Sequence, residues 1–296
     1  MMKKLLLLIC VVSCLSATSR VEKSNPLDHK PTFKICVVKW SFRMMTSKLC
    51  EYAKEAGIDA MDMLDEGKWP VVKQAGMKIV VADGADMGIW GGFCEEELHK
   101  QLQSRYLEIL PKLSQYGITR LICYAGKNTT MSDQEALEVC ARGLLPVVRE
   151  AEKHGVTLVM ALLSSSDKGG LFSKMRFPHY QCDNPEWGVK LCDRIASPNF
   201  RLCYKVWHMV DMDRDVPADI AKYAKYIAHY HISGTQTKGE NRYGPFSDYD
   251  RNLYQKMFCE LQKSGYNGYL GLEFDRIYEN ITDVLKASME FIRQVQ

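Results

Sequence analysis

Short apolar runs and amphipathic stretches alternate along this chain from residue 34 onward. The runs are KICVVKWS (34–41), 58–64, MKIVVA (77–82), 118–124, VTLVMALL (156–163), 200–206, 227–232 and 269–274. Each is short, apolar and bounded by polar or turn-forming residues, the pattern of a buried strand. Helical spacing fills the gaps between them. The stretch 47–56 carries Leu49, Tyr52 and Ala53 on one face, and a short segment covers 69–74. A long segment spans 93–116, and Ser132 is placed to cap a helix running through Lys153. Asn184-Pro185-Glu186 has the cap, first-turn proline and early acid of another helix start. Eight strands alternating with helices predict an α/β fold with a parallel sheet inside a ring of helices, and eight is the number that closes into a (β/α)8 TIM barrel. The competing architecture, an open doubly wound sheet, leaves two edges and usually carries a glycine-rich phosphate turn, which this sequence lacks.

Composition narrows the partners. With 296 residues the chain is long enough for one large domain, and its 46% apolar and 25% charged residues are those of an ordinary globular protein. The formal charge of +3 falls to about +1 if Lys3 and Lys4 leave with a leader, and no basic stripe interleaved with aromatics is present. Nucleic acid is therefore not an expected partner.

The first residues read as a targeting segment. Lys3-Lys4, the apolar run from Leu5 to Val12 and the small residues after it are laid out like a secretory signal over 1–18. Val11-Val12-Ser13-Cys14 resembles a bacterial lipobox, in which Cys14 would be acylated; cleavage near Ser16 or Ala17 is the alternative. Residues 19–32 are polar with two prolines and read as a linker, leaving 33–296 for the barrel. Either cleavage predicts an exported bacterial protein, periplasmic or held to a membrane through a lipid at Cys14. Export permits disulfides, yet of eleven cysteines two lie in the leader, the remainder is odd in number, and no paired spacing stands out. Cys36, Cys123 and Cys203 fall inside strand-like runs, where a cysteine acts as a small hydrophobe.

In a barrel the polar residues at the carboxyl ends of the strands converge on one mouth. Here they are Trp40, Asp62, Asp83, Tyr124, Lys205, His208, His231 and Glu273. A divalent metal would need three or four nitrogen or oxygen ligands among them. His231 and Glu273 are of suitable type, whereas the fifth run offers Ala161 and Ser164 and the sixth offers Lys205.

From about residue 33 to 276 the chain resembles the xylose isomerase-like TIM barrels, and their hydroxypyruvate isomerase-like branch in particular. The resemblance rests on KICVVKWSF (34–42), EKHGVTLVMALL (152–163), YQCDNPEWGVKLCDRIASPNFRLCYKVWHM (180–209), YIAHYHISG (226–234) and GYNGYLGLEF (265–274). It implies isomerisation or epimerisation of a small sugar or hydroxy-carbonyl compound through a cis-enediol. In the family a divalent metal polarises the substrate oxygens, and glutamates on the fifth and eighth strands move the proton. An aspartate on the sixth strand and a histidine or glutamine on the seventh complete the metal shell.

Carried over by position, the eighth-strand glutamate is Glu273, the seventh-strand ligand is His231, and the histidine that orients substrate is His208. A basic residue and a glutamate beyond the seventh strand align with Lys238 and Glu240. The fifth-strand glutamate falls on Ala161 and the sixth-strand aspartate on Lys205. These two departures remove half of the implied metal shell and one proton carrier. An ammonium near the cation position repels a dication and pairs with Glu273 instead. No metal is then expected, His231 and Glu273 being its remnants; manganese, magnesium or zinc returns only if other ligands complete the site. Three readings remain open. They are metal-independent enolisation by Glu273 and Lys205, with His208, His231 and Trp40 lining the substrate; a catalytically inactive carbohydrate-binding barrel; and a Schiff-base lyase using Lys205. The last is disfavoured because a neighbouring carboxylate raises the lysine pKa.

Overall fold

The computed structural model describes residues 33–84, 89, 91–166, 177–235, 244–274 and 278–296. The leader, Cys14 and the linker lie outside the described residues, as do Lys238 and Glu240. Eight parallel strands make one sheet in the order β3-β2-β1-β8-β7-β6-β5-β4. They are β1 (Lys34–Val38), β2 (Ala60–Asp62), β3 (Lys78–Ile79), β4 (Arg120–Cys123), β5 (Thr157–Ala161), β6 (Phe200–Lys205), β7 (Ile227–Ile232) and β8 (Tyr269–Leu272). Closure comes from Ala82, which bridges in parallel to both Leu64 and Leu121. Its backbone N–H donates to Arg120 O, and Ile122 N–H donates to Ala82 O. The expected TIM barrel is what forms.

The surrounding helices are α1 (Thr46–Glu55), α2 (Trp69–Gln74), α3 (His99–Leu113), α4 (Asp133–Lys153), α5 (Pro185–Ile195), α6 (Val206–Asp211), α7 (Val216–Tyr223), α8 (Arg251–Lys263) and α9 (Ile281–Val295). Ser132 caps α4 through a reciprocal pair with Glu135, and Asn184 caps α5 by accepting from Trp187 N–H. The stripe Ala136, Leu137, Cys140, Leu144, Val147, Val148 and Ala151 of α4 is buried against the sheet, at the three-and-four spacing of an amphipathic helix.

Three boundaries differ from the sequence reading, each for a local reason. The run at 34–41 stops pairing at Val38, and Lys39–Ser41 forms a 3-10 turn that carries Trp40 toward the mouth. The stretch from Phe93 opens with a turn rather than a helix: Glu95 N–H donates to Gly92 O, Phe93 and Cys94 donate theirs to Tyr124 O and Ala125 O, and the α-helix begins only at His99. The sixth run ends at Lys205, so His208, expected where a strand runs out, sits in the short helix α6 instead.

Candidate active site at the barrel mouth

Strand periodicity decides which side chains reach the interior, since alternate residues face opposite sides of a sheet. On β6, Tyr204 faces outward and donates to Asp219 of α7 at 2.9 Å, which sends Lys205 inward. On β7, Tyr230 packs against Tyr204 with ring centroids 6.0 Å apart, so His229 and His231 both point into the barrel. On β8, Gly271 occupies the inward position two residues before Glu273. A Cβ added there would lie 2.8 Å from both Asp62 Oδ2 and His231 Cδ2. The missing side chain is what lets those two groups meet.

The interior holds a continuous chain of polar groups. Lys205 Nζ donates to Glu273 Oε1 at 2.6 Å. Trp40 Nε1–H donates to the same oxygen at 3.2 Å, and His231 Nδ1 faces it at 3.0 Å, an ion-pair contact poorly directed for a hydrogen bond. The other ring nitrogen of His231 donates to Asp62 Oδ2 at 3.1 Å. His229 Nε2–H reaches that same oxygen at 2.5 Å, and the Cys36 thiol approaches it at 3.5 Å. Lys205 is 4% exposed and Glu273 2%.

These contacts settle the charges. Burial opposes the Lys205 ammonium, but Glu273 and the other nearby anionic groups outweigh it and hold its pKa above the ordinary lysine value. Burial would raise Glu273; the Lys205 charge, then His231, hold it well below the usual carboxylate range. Asp62 is likewise pushed up by burial but held low by His229 and His231. His231 is raised, because its carboxylate partners overcome burial and the Lys205 charge, whereas His229 is lowered by burial. Two carboxylates thus share an ammonium and two histidine rings, of which His231 is favoured in its charged form and His229 in its neutral form.

His208 differs from the other two histidines. It is buried, and its Nδ1 accepts the Ser164 N–H at 3.0 Å, so the hydrogen of the neutral ring resides on Nε2. Burial, then the Lys205 charge, push its pKa down to about 3. Ser164 is fixed in turn by donating its hydroxyl to Asp211 at 2.6 Å. The result is an uncharged N–H donor beside the ion pair.

The structure therefore gathers Trp40, Lys205, His231 and Glu273 in direct contact, with His208 alongside. Asp83 is half-buried and Tyr124 buried at the ends of their runs. Ala161 is fully buried and carries no donor. The residues that sequence reasoning underrated are Asp62, His229 and Cys36. His229 was detectable, because it stands two positions before His231 on one strand and must share its face. Cys36 was read as a small hydrophobe, and its place beside a buried carboxylate shows only in three dimensions. Its thiol pKa is raised well above the ordinary value by burial and by Asp62. Among the described residues, Cys36, Asp62 and His229 bring donor atoms within 4.8 Å of one another and are the candidate metal-binding group. As found, the first and last donate to the middle one.

The chain is a closed eight-stranded parallel barrel with a chain of polar groups toward the carboxyl ends of its strands, the face on which barrel enzymes carry their sites. Residues 50–295 match the xylose isomerase-like TIM barrel family, and the chain belongs to that family. A human relative, described as a putative hydroxypyruvate isomerase, is 20% identical over 252 residues, covering 82% of this chain and 79% of that one. Among solved structures, an AP endonuclease of family 2 from Brucella melitensis superposes with a TM-score of 0.70 at 17% identity, covering 84% of this chain and 96% of its own. A 3-keto-D-glucoside 4-epimerase from E. coli gives 0.69 at 15% identity, covering 88% and 99%. At these identities the structural likeness speaks for the fold.

Proposed function

We propose that this barrel binds a small sugar or hydroxy-carbonyl compound at its mouth and moves a proton between adjacent carbons without a metal. One observation carries the reading: Lys205 Nζ lies 2.6 Å from Glu273 Oε1 in a nearly dry site. A dication cannot share that space with an ammonium, Ala161 supplies no ligand, and both nitrogens of His231 face carboxylates. The residues present do not fit the metal of the family, and the chemistry is assigned to the side chains alone.

In that chemistry the substrate carbonyl oxygen accepts from the Lys205 ammonium, and the neutral His208 N–H donates to a neighbouring hydroxyl. Glu273 takes the proton from the carbon beside the carbonyl, and the electron pair moves into a C–C double bond. The enediolate oxygen that results lies against Lys205. Returning the proton from Glu273 to the other carbon, with a hydroxyl proton shifting between the two oxygens, gives the isomer. Nothing outside the substrate is oxidised or reduced. The leader pattern at 1–18 leads us to read this activity as exported.

A second reading, binding without turnover, is favoured by the donors on Glu273 Oε1, which make it a weak base. Deuterium exchange separates the two. Hydroxypyruvate and ketoses of four to six carbons are incubated with the chelator-treated protein in D2O and followed by proton NMR. Loss of the signal beside the carbonyl, abolished in Glu273→Gln, is the expected result. Exchange that appears only on adding manganese or magnesium sinks the metal-free mechanism, and binding with no exchange establishes the second reading.

A further inference from the structure

Asp62 lies fully buried on β2, and its carboxylate is satisfied on both oxygens. Oδ2 takes His229 and His231, while Oδ1 accepts the backbone N–H of Met63 at 2.8 Å. That last bond depends on an unusual backbone, since Met63 adopts φ of +54°, a left-handed conformation that a non-glycine residue holds only when its surroundings impose it. The turn aims the carboxylate across the barrel. Gly271 on β8, one of the two strands between β2 and β7, keeps the path open, because a Cβ there would lie 2.8 Å from Asp62 Oδ2. At the far end of the His231 ring, Nδ1 faces Glu273 Oε1 at 3.0 Å.

We infer that Asp62 is a positioning residue for Glu273, acting through His231: by holding Nε2 of the ring it fixes which nitrogen faces the glutamate and in what orientation. Asp62 itself is one imidazole away from the mouth and touches no substrate. The inference rests on Glu273 being the proton carrier, but the geometry can be tested apart from turnover. Asp62→Asn keeps the shape while removing the charge and replacing one acceptor oxygen by an N–H donor, so the carboxamide cannot accept from both histidines and from Met63 N–H at once.

The experiment records nitrogen-15 histidine spectra of the full chain and the kinetics of deuterium exchange. In the unsubstituted protein the His231 ring, assigned by its loss in His231→Gln, should show its Nε2–H held in a strong hydrogen bond; in Asp62→Asn that bond should be weakened or lost. The rate of exchange at saturating substrate should fall roughly 100-fold with KM kept, as expected when a reacting group is misaligned. Gly271→Ala, which drives Asp62 and His231 apart from the other side, should reproduce both effects and serves if Asp62→Asn does not fold. An unchanged His231 spectrum in the folded variant overturns the inference, as does an unchanged rate where the unsubstituted protein exchanges. If that protein exchanges nothing, the functional reading fails alone and the spectrum decides whether Asp62 holds the ring.

Discussion

Lys205 of β6 and Glu273 just past β8 meet across the barrel at 2.6 Å, with less than a twentieth of either residue exposed to solvent. Two charges taken out of water stabilise a fold only while they satisfy each other, and removing one partner leaves the other buried without its main counter-charge. Lys205→Met and Glu273→Gln should each cost about 3–5 kcal/mol in urea unfolding. The double variant should recover most of that loss, because it removes the unpaired charge. Additive losses in the double-mutant cycle would mean that the pair is not the unit described here.

The histidines give opposite signs of pH dependence. His208 is neutral in the fold with its pKa near about 3, while in the unfolded chain it takes a proton below about pH 6.5. The unfolded state then binds more protons, so this residue costs stability as pH falls, at up to about 1.4 kcal/mol per pH unit. His231 is raised instead, so its contribution is fully present below the unfolded value and is lost as pH rises through its folded value. Replacing His208 by Gln should flatten the acid slope between roughly pH 6.5 and 4.5, above the range where carboxylates titrate. Denaturation midpoints across that window check this, and an unaltered slope would rule it out.

Tyr180 ties the fourth and fifth strands together at their mouth ends. Its hydroxyl accepts the Ala125 N–H at 3.0 Å and donates to Ala161 O at 2.9 Å. Tyr180→Phe leaves both buried backbone groups without this partner and should cost about 1–3 kcal/mol. Faster amide exchange at Ala125 should accompany the loss, and native exchange there would show that another group takes over.

The barrel was legible because its strands are buried on both faces and read as apolar runs, and because caps such as Ser132 and Asn184 sit where the helices begin. The contact of Lys205 with Glu273 was legible only through the resemblance, since 68 residues separate them. Asp62 could be named as a strand-end acid, but its reach to β7 depends on the turn at Met63 and the gap at Gly271, which no local pattern reveals. Lys205 and Ala161 stood out for the converse reason. A residue of the wrong charge at a ligand position is visible in one dimension.

The same comparison yields a test of the site by reconstruction. If Lys205 and Ala161 stand where two acidic ligands stood, then Lys205→Asp with Ala161→Glu returns four potential ligands: the two new carboxylates, His231 and Glu273. The change also replaces one positive charge by two negative ones near Glu273, which attracts a dication into the vacated space. Calorimetry with manganese should show one tight site in the double variant and a much weaker or undetectable one in the unsubstituted protein. Each single variant should bind weakly, because Lys205 still repels the ion in one and a ligand is still missing in the other. Adding Asp62→Asn to the double variant should tighten metal binding further if His231 must release a nitrogen to the ion. The absence of any new site in a folded double variant would mean that these two positions do not converge on the place assigned to the metal.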